Sequence, residues 1–214
     1  MYPYIHTRMN LKDILLKALR ITLLPSVEWK IIKDETITPR ELLIQFALPL
    51  ILFSAVGRDI GLFFVAKTVL GYSLNLVILL FFNLLSWILI PMLLVLTAAF
   101  LLNFSLPKLG IDASYDRILK LVVYTFTPLF IVTFFVYLHP LLRILIPIGI
   151  YVFIAYTLYV FWYGLQELFE ISFELKLRFI VITIAVGFIV IFLAQHLYGL
   201  MLGWVMPGME AYVK

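Results

Sequence analysis

The side chains able to do chemistry in this chain are few and scattered. His6, His139 and His196 lie in different regions and share no metal-ligand spacing. There is no HExxH, no GxSxG and no phosphate-binding glycine loop, and no pair of carboxylates falls inside an apolar run. With no cysteine, disulfides, thiolate metal sites and thiol nucleophiles are excluded. The most regular acidic pattern is Glu167, Glu170 and Glu174, at i, i+3 and i+7 on one helix face. Such a face can hold a divalent cation or dock on the basic N-terminal segment, but simple solvation is the default. No catalytic residue, cofactor or metal site is assigned, and the chain reads as a non-enzyme.

The more informative residues are polar ones placed where lipid chains would be. In Arg117–Leu138, an apolar stretch long enough to cross a bilayer, Tyr124, Thr125, Thr127 and Pro128 make poor sense against lipid and good sense inside a bundle. Pro128 cannot donate to the Tyr124 carbonyl, so that acceptor needs another partner. In 74–104, Asn75, Asn83, Ser86 and Thr97 fall within a stripe of roughly 80° at 100° per residue. Interhelical hydrogen bonds are the plain reading of that stripe, and a polar substrate path is the sharper one. Near the C-terminus, Gln195 and His196 precede a GxxxG pattern at Gly199 and Gly203, which predicts a close helix contact.

These residues must be positioned by membrane-spanning helices. Apolar residues make up 64% of the chain and charged ones 13%, against about 45–50% and about 25% in soluble domains. Several runs of about 20 apolar residues without period-two alternation exclude a barrel. The expected fold is an all-α polytopic membrane protein. Five transmembrane helices, about 39–56, 74–104, 117–138, 141–163 and 179–204, form a domain over 39–206. Ahead of it lies a cytoplasmic or interfacial segment, 1–38, interrupted by too many charges to be a cleavable signal. The opening of the first span is well marked, with Thr38 as cap, Pro39 in the first turn and Glu41 closing a capping box. Pro49 is expected to kink that span. Gly57 and Gly61 also read GxxxG, but Arg58 and Asp59 lie between them, which favours a loop. Residues 60–73, interrupted by Lys67, read as a connector rather than a span. The second span is a single long helix, tilted or bent at Pro91.

In the N-terminal segment Asn10 can cap a helix from Leu11. Asp13, Lys17 and Arg20 share one face, opposite Leu11, Ile14, Leu15, Ala18 and Leu19. This is the pattern of an amphipathic surface helix with its basic residues toward headgroups; packing on the protein's own loops is the alternative. Trp29 suits the membrane boundary. With five crossings about twelve Lys and Arg fall on the side of the N-terminus and about four on the other, which predicts a cytoplasmic N-terminus and an outside C-terminus in the cell membrane.

Three passages resemble the Yip (Ypt-interacting) five-span membrane domain family in its prokaryotic version. Pro25-Ser26-Val27-Glu28-Trp29-Lys30-Ile31-Ile32-Lys33, with Leu48-Pro49-Leu50 after it, is similar to the family's pre-membrane segment and first span. Val122-Val123-Tyr124-Thr125-Phe126-Thr127-Pro128-Leu129 resembles its third span, and Tyr151–Leu165 the close of its fourth. The resemblance implies the five-span fold and, for eukaryotic members, binding of Rab-type GTPases. Their long polar N-terminal region has no counterpart in this sequence. The expected function is a membrane organiser or adaptor. It would bind membrane lipid, anionic lipid above all, or another membrane or cytoplasmic protein, with no cofactor and no nucleic acid. Lys17, Arg20, Trp29, Glu167, Glu170 and Glu174 are the candidate contact residues. The alternative is a small transporter or channel lined by the second span.

Overall fold

The computed structural model describes residues 10–70, 74–111, 113–138, 146–169 and 171–205, and these are helical wherever they are regular. Two short helices, α1 (Leu11–Leu23) and α2 (Pro25–Lys33), precede the long ones. Asn10 caps α1 by accepting from the Asp13 amide at 2.9 Å, and Pro25 opens α2 in a position where its missing N–H costs nothing. Next, α3 (Pro39–Glu41) starts on the predicted capping box: the Thr38 hydroxyl accepts from the Glu41 amide while Glu41 accepts from the Thr38 amide.

From α3 the chain runs through a π-helical stretch, Leu42–Ala47, into α4 (Leu48–Leu70) without a break. The wide turn has a cause in sequence. Pro49 cannot donate to the Gln45 carbonyl and its ring crowds that group, so the backbone before it shifts to i→i+5 bonding. The loop expected at Gly57–Gly61 and the connector expected at 60–73 are corrected: helix continues to Leu70. Gly57 is what allows it. A Cβ there would lie 2.5 Å from a Phe134 ring carbon and 2.8 Å from the Phe134 backbone, so only glycine permits this approach of α4 to α6.

Then α5 (Leu74–Ser105) is the single long helix read from the sequence, with Pro91 inside it. A 3-10 turn, Leu106–Leu109, closes on Gly110, whose φ of 72° is left-handed. The helices α6 (Tyr115–Leu138), α7 (Ile146–Leu168) and α8 (Phe173–Val205) complete the bundle. The last begins earlier than expected, which shortens the loop before it.

Among the described residues, four helical stretches are long and apolar enough to cross a membrane: Pro39–Lys67, Leu76–Leu109, Tyr115–Tyr137 and Phe173–Leu200. The expected span 141–163 coincides mainly with α7, and its first five residues lie outside the described ones. Helix α6 is the centre. Its apolar window is 67% buried, against 33%, 17% and 18% for the others. It packs on α1, α4, α5 and α7, whereas α8 packs chiefly on α5. That centrality lets α6 bury Tyr124, Thr125 and Thr127, since hydroxyls on an interior helix are kept from lipid.

Candidate functional site

Two polar clusters lie at opposite ends of the bundle. The first joins α1 and the α2–α3 linker to α6. Ile14, Ala18 and Ile21 form the buried stripe of α1, and Lys17 lies within it. Burial of an ammonium requires a counter-charge, which Glu35 supplies. Lys17 Nζ donates to Glu35 Oε1 at 2.5 Å and to the Tyr124 hydroxyl at 2.6 Å, and that hydroxyl donates to Glu35 Oε2 at 3.0 Å. Lys120 Nζ donates to the Glu35 backbone carbonyl at 2.5 Å. Lys17 also sits 4.5 Å from the Tyr124 ring centroid and 5.5 Å from that of Phe46. Burial pulls the Lys17 pKa below the ordinary lysine value, against the attraction of Glu35.

Aromatic packing encloses this triangle. Trp29 and Phe46 both meet Tyr124 edge-on, with centroids 6.0 and 4.9 Å away. Trp29 is fully buried, and its Nε1 donates to the Val160 carbonyl of α7 at 3.0 Å. Gly164, one turn further on, makes the room: a Cβ there would lie 2.7 Å from the indole. On α7, Tyr156 contacts Tyr159 and Tyr159 contacts Tyr163, and the Tyr156 hydroxyl donates to the Thr22 carbonyl.

Two expectations are corrected here. Lys17 does not face headgroups, because its neighbours along the stripe are the residues that dock α1. Trp29 does not meet lipid as an anchoring side chain, because it is buried in the gap between α2 and α7. Packing on the protein's own helices accounts for the inner face of α1. Its outer face, with Leu11, Leu16, Leu19 and Leu23, is exposed. Arg20 stays exposed and pairs with buried Glu28 at 3.0 Å.

The second cluster lies about 20 Å away along α6, thirteen residues beyond Tyr124 at 1.5 Å each. The Arg58 guanidinium of α4 lies 3.3 Å from the Trp87 ring centroid and 4.3 Å from that of Tyr137. Asn83 donates to Asp59 Oδ1 at 2.6 Å and accepts from the Tyr198 hydroxyl at 3.3 Å. Thus α4, α5, α6 and α8 meet through these side chains. Asp59, which the sequence places in a loop, is helical inside the apolar stretch Pro39–Lys67.

The other polar residues singled out in the sequence do not join either cluster. Ser86 and Thr127 are buried and donate to carbonyls of their own helices, Phe82 at 2.6 Å and Val123 at 3.1 Å. Thr125 Oγ1 is buried with no hydrogen-bond partner among the described residues, and Pro128 is buried. Thr97 is half-buried. Gln195 and His196 are exposed, and His196 stacks on Phe192. The close contact expected at the second GxxxG is corrected at Gly199, which is exposed and would meet nothing with a Cβ. The side chains of Asn75 and Gly203 lie outside the described ones. Glu167 is half-buried, Glu174 is exposed and pairs with Arg178 at 2.5 Å, and Glu170 lies outside the described residues. Among the described residues no group of His, Asp and Glu is gathered as for a metal.

Sequence reasoning passed over Glu35, Arg58, Asp59 and Lys120 as partners. A signal existed for the first cluster: Lys17 interrupts an i, i+4, i+7 apolar stripe, and Lys120 sits within Ile118–Val123. A charge on a buried stripe demands an opposite charge from elsewhere in the chain.

An open cavity of about 600 Å³ adjoins the first cluster, lined by Lys33, Asp34, Glu35, Ser114, Asp116, Arg117, Lys120 and Leu168. None of Asn83, Ser86 or Thr97 lines it.

Long apolar helices around a central polar-bearing one define a multi-pass helical membrane protein. The model of the Yip1 domain family matches residues 20–194, from the end of α1 into α8, and the chain belongs to that family, whose members are generally non-catalytic membrane proteins. No curated protein and no solved structure matches the chain.

Proposed function

We propose that this protein is a non-catalytic membrane organiser of the Yip type. In this reading it crosses the bilayer five times, with a cytoplasmic N-terminus, and presents α1 and α2 as a rigid platform for a protein partner or an anionic lipid. One observation carries the reading: the platform is bolted to the bundle by the Lys17–Glu35–Tyr124 triangle and Trp29, yet its outer face stays apolar. Leu11, Leu16, Leu19, Leu23, Val27 and Ile31 are all exposed there. A surface so firmly positioned and so apolar suits contact with a membrane surface or a partner helix. A transport path through the second span gains less support, since Asn83 and Ser86 are buried and spend their hydrogen bonds on protein groups.

Gentle extraction of the intact protein, with quantitative mass spectrometry of what remains bound, tests the role. The expected result is a stoichiometric protein or lipid that is lost when Leu23 and Val27 are both replaced by glutamate. Nothing retained, or no retained species lost on the double substitution, contradicts it. The cysteine-free chain suits a topology test. Single cysteines at Lys12 and Lys214 should react with an impermeant maleimide from opposite sides of the membrane. Reaction from the same side contradicts five crossings.

A further inference from the structure

The cavity beside Glu35 is lined by charges of both signs, and Asp34, Asp116, Arg117 and Lys120 among them make no ion pair within the described residues. Lys120 is only 8% exposed. Its ammonium has three donors and spends one, on a carbonyl rather than a carboxylate. Glu35, the carboxylate nearest in the network, is already committed to Lys17 and Tyr124. Arg117, on the same wall, makes no ion pair among the described residues, and neither do Asp34 and Asp116 opposite in charge. Glu35 and Asp116 attract this ammonium from a distance without pairing with it, and an anion entering the cavity bonds it directly. The two carboxylates disfavour a ligand that is purely anionic.

We infer that this cavity binds a phosphodiester bearing a primary ammonium, the chemistry of an ethanolamine phospholipid headgroup or of its soluble glycerol ester. Lys120 and Arg117 hold the phosphate, with the Ser114 hydroxyl as a further donor. Asp116 and Asp34 accept from the ammonium. Depth agrees with a lipid source: Lys120 directly precedes the uncharged run Leu121–Leu138 of α6, about 27 Å of helix, and so falls at the headgroup edge when that run crosses the bilayer. A volume of about 600 Å³ is ample for the headgroup. The site rests on the membrane reading of the bundle but not on recruitment of a protein partner, so its failure leaves the extraction result above untouched.

Native mass spectrometry of the intact protein in mild detergent tests it, with phosphatidylethanolamine, phosphatidylcholine and phosphatidylglycerol offered at equal concentration. Phosphatidylethanolamine should be retained about tenfold more than either of the others, the discrimination expected from one or two charge-assisted hydrogen bonds. Asp116→Asn and Arg117→Gln, both at exposed positions, should each abolish that preference, whereas Arg178→Gln, away from the cavity, should not. Circular dichroism and gel filtration confirm that each variant is folded. Equal retention of the three lipids, preference for phosphatidylglycerol, or an unaltered preference in both cavity variants overturns the proposal. Soluble glycerophosphoethanolamine is added as competitor. Displacement by it assigns the headgroup alone as the ligand, and lack of displacement assigns the intact lipid; either supports the site.

Discussion

Glu35 at one end of the bundle and Arg58 at the other are both charged groups enclosed by aromatic rings, but they are stabilised differently. Glu35 is surrounded by donors: Lys17 and Tyr124 fill its carboxylate, and Lys120 takes its carbonyl. Arg58 lies against ring faces, with Trp87 and Tyr137 supplying quadrupole attraction. Beside it, shape does the holding: Gly57 lets α4 reach the Phe134 backbone, and Phe53 stacks on Phe134 at 3.9 Å. Near the platform, then, the buried charge is held by directional polar bonds, whereas at the far end the hydrogen bonds of Asn83 with Asp59 and Tyr198 are joined by close packing of glycine and rings. The contrast fits what each end must do. The platform joins elements from three separate parts of the chain, and directional bonds specify that register. The far end joins the long helices α4, α5, α6 and α8, where a glycine and aromatic rings add to the Asn83 hydrogen bonds.

Substitutions should separate the two modes. Glu35→Leu strands the Lys17 charge and the Tyr124 hydroxyl, and should cost about 3–5 kcal/mol, the usual cost of breaking one side of a buried pair. Thermal unfolding in detergent should show it as the largest fall in midpoint among these variants. Gly57→Ala forces a methyl into the Phe134 backbone and should cost about 1–3 kcal/mol through overpacking, with a smaller fall in the same measurement. Trp29→Phe keeps the ring but removes the bond to Val160, and should cost about 1 kcal/mol. Tryptophan fluorescence then loses its most buried component. Arg58→Lys keeps the charge but loses the flat face against Trp87, and should cost about 0.5–1 kcal/mol. An Arg58→Lys loss larger than that of Glu35→Leu would invert the comparison.

Much of this architecture was legible in sequence. The capping box at Thr38, the single long helix from Leu74 and the buried Tyr124 followed from local rules of helix starts, apolar length and the cost of hydroxyls in lipid. The errors were of one kind. Arg58 and Asp59 suggested a loop because charges are costly in a membrane, and nothing local revealed that Trp87, Tyr137 and Asn83 would receive them. Lys17 was placed toward headgroups for the same reason, and Trp29 was read as a boundary residue. Both judgements took the charge or ring alone, whereas burial was decided by partners 18 and 131 residues away in sequence. Gly57 and Gly199 show the complementary difficulty. The same GxxxG spacing occurs twice, and of Gly57 and Gly199 it is Gly57 that a neighbouring helix approaches closely enough to need it.

The Lys17–Glu35 pair is the hinge of the account, because it makes the platform part of the bundle. A double-mutant cycle measures it directly, comparing unfolding of the wild type, Lys17→Met, Glu35→Leu and the double variant. If the pair is buried and mutually dependent, each single change is costly and the double variant recovers most of the loss, giving a coupling of about 2–3 kcal/mol. If both single changes are nearly silent and simply add, the two groups are solvated, and the platform is not fastened where the structure fastens it.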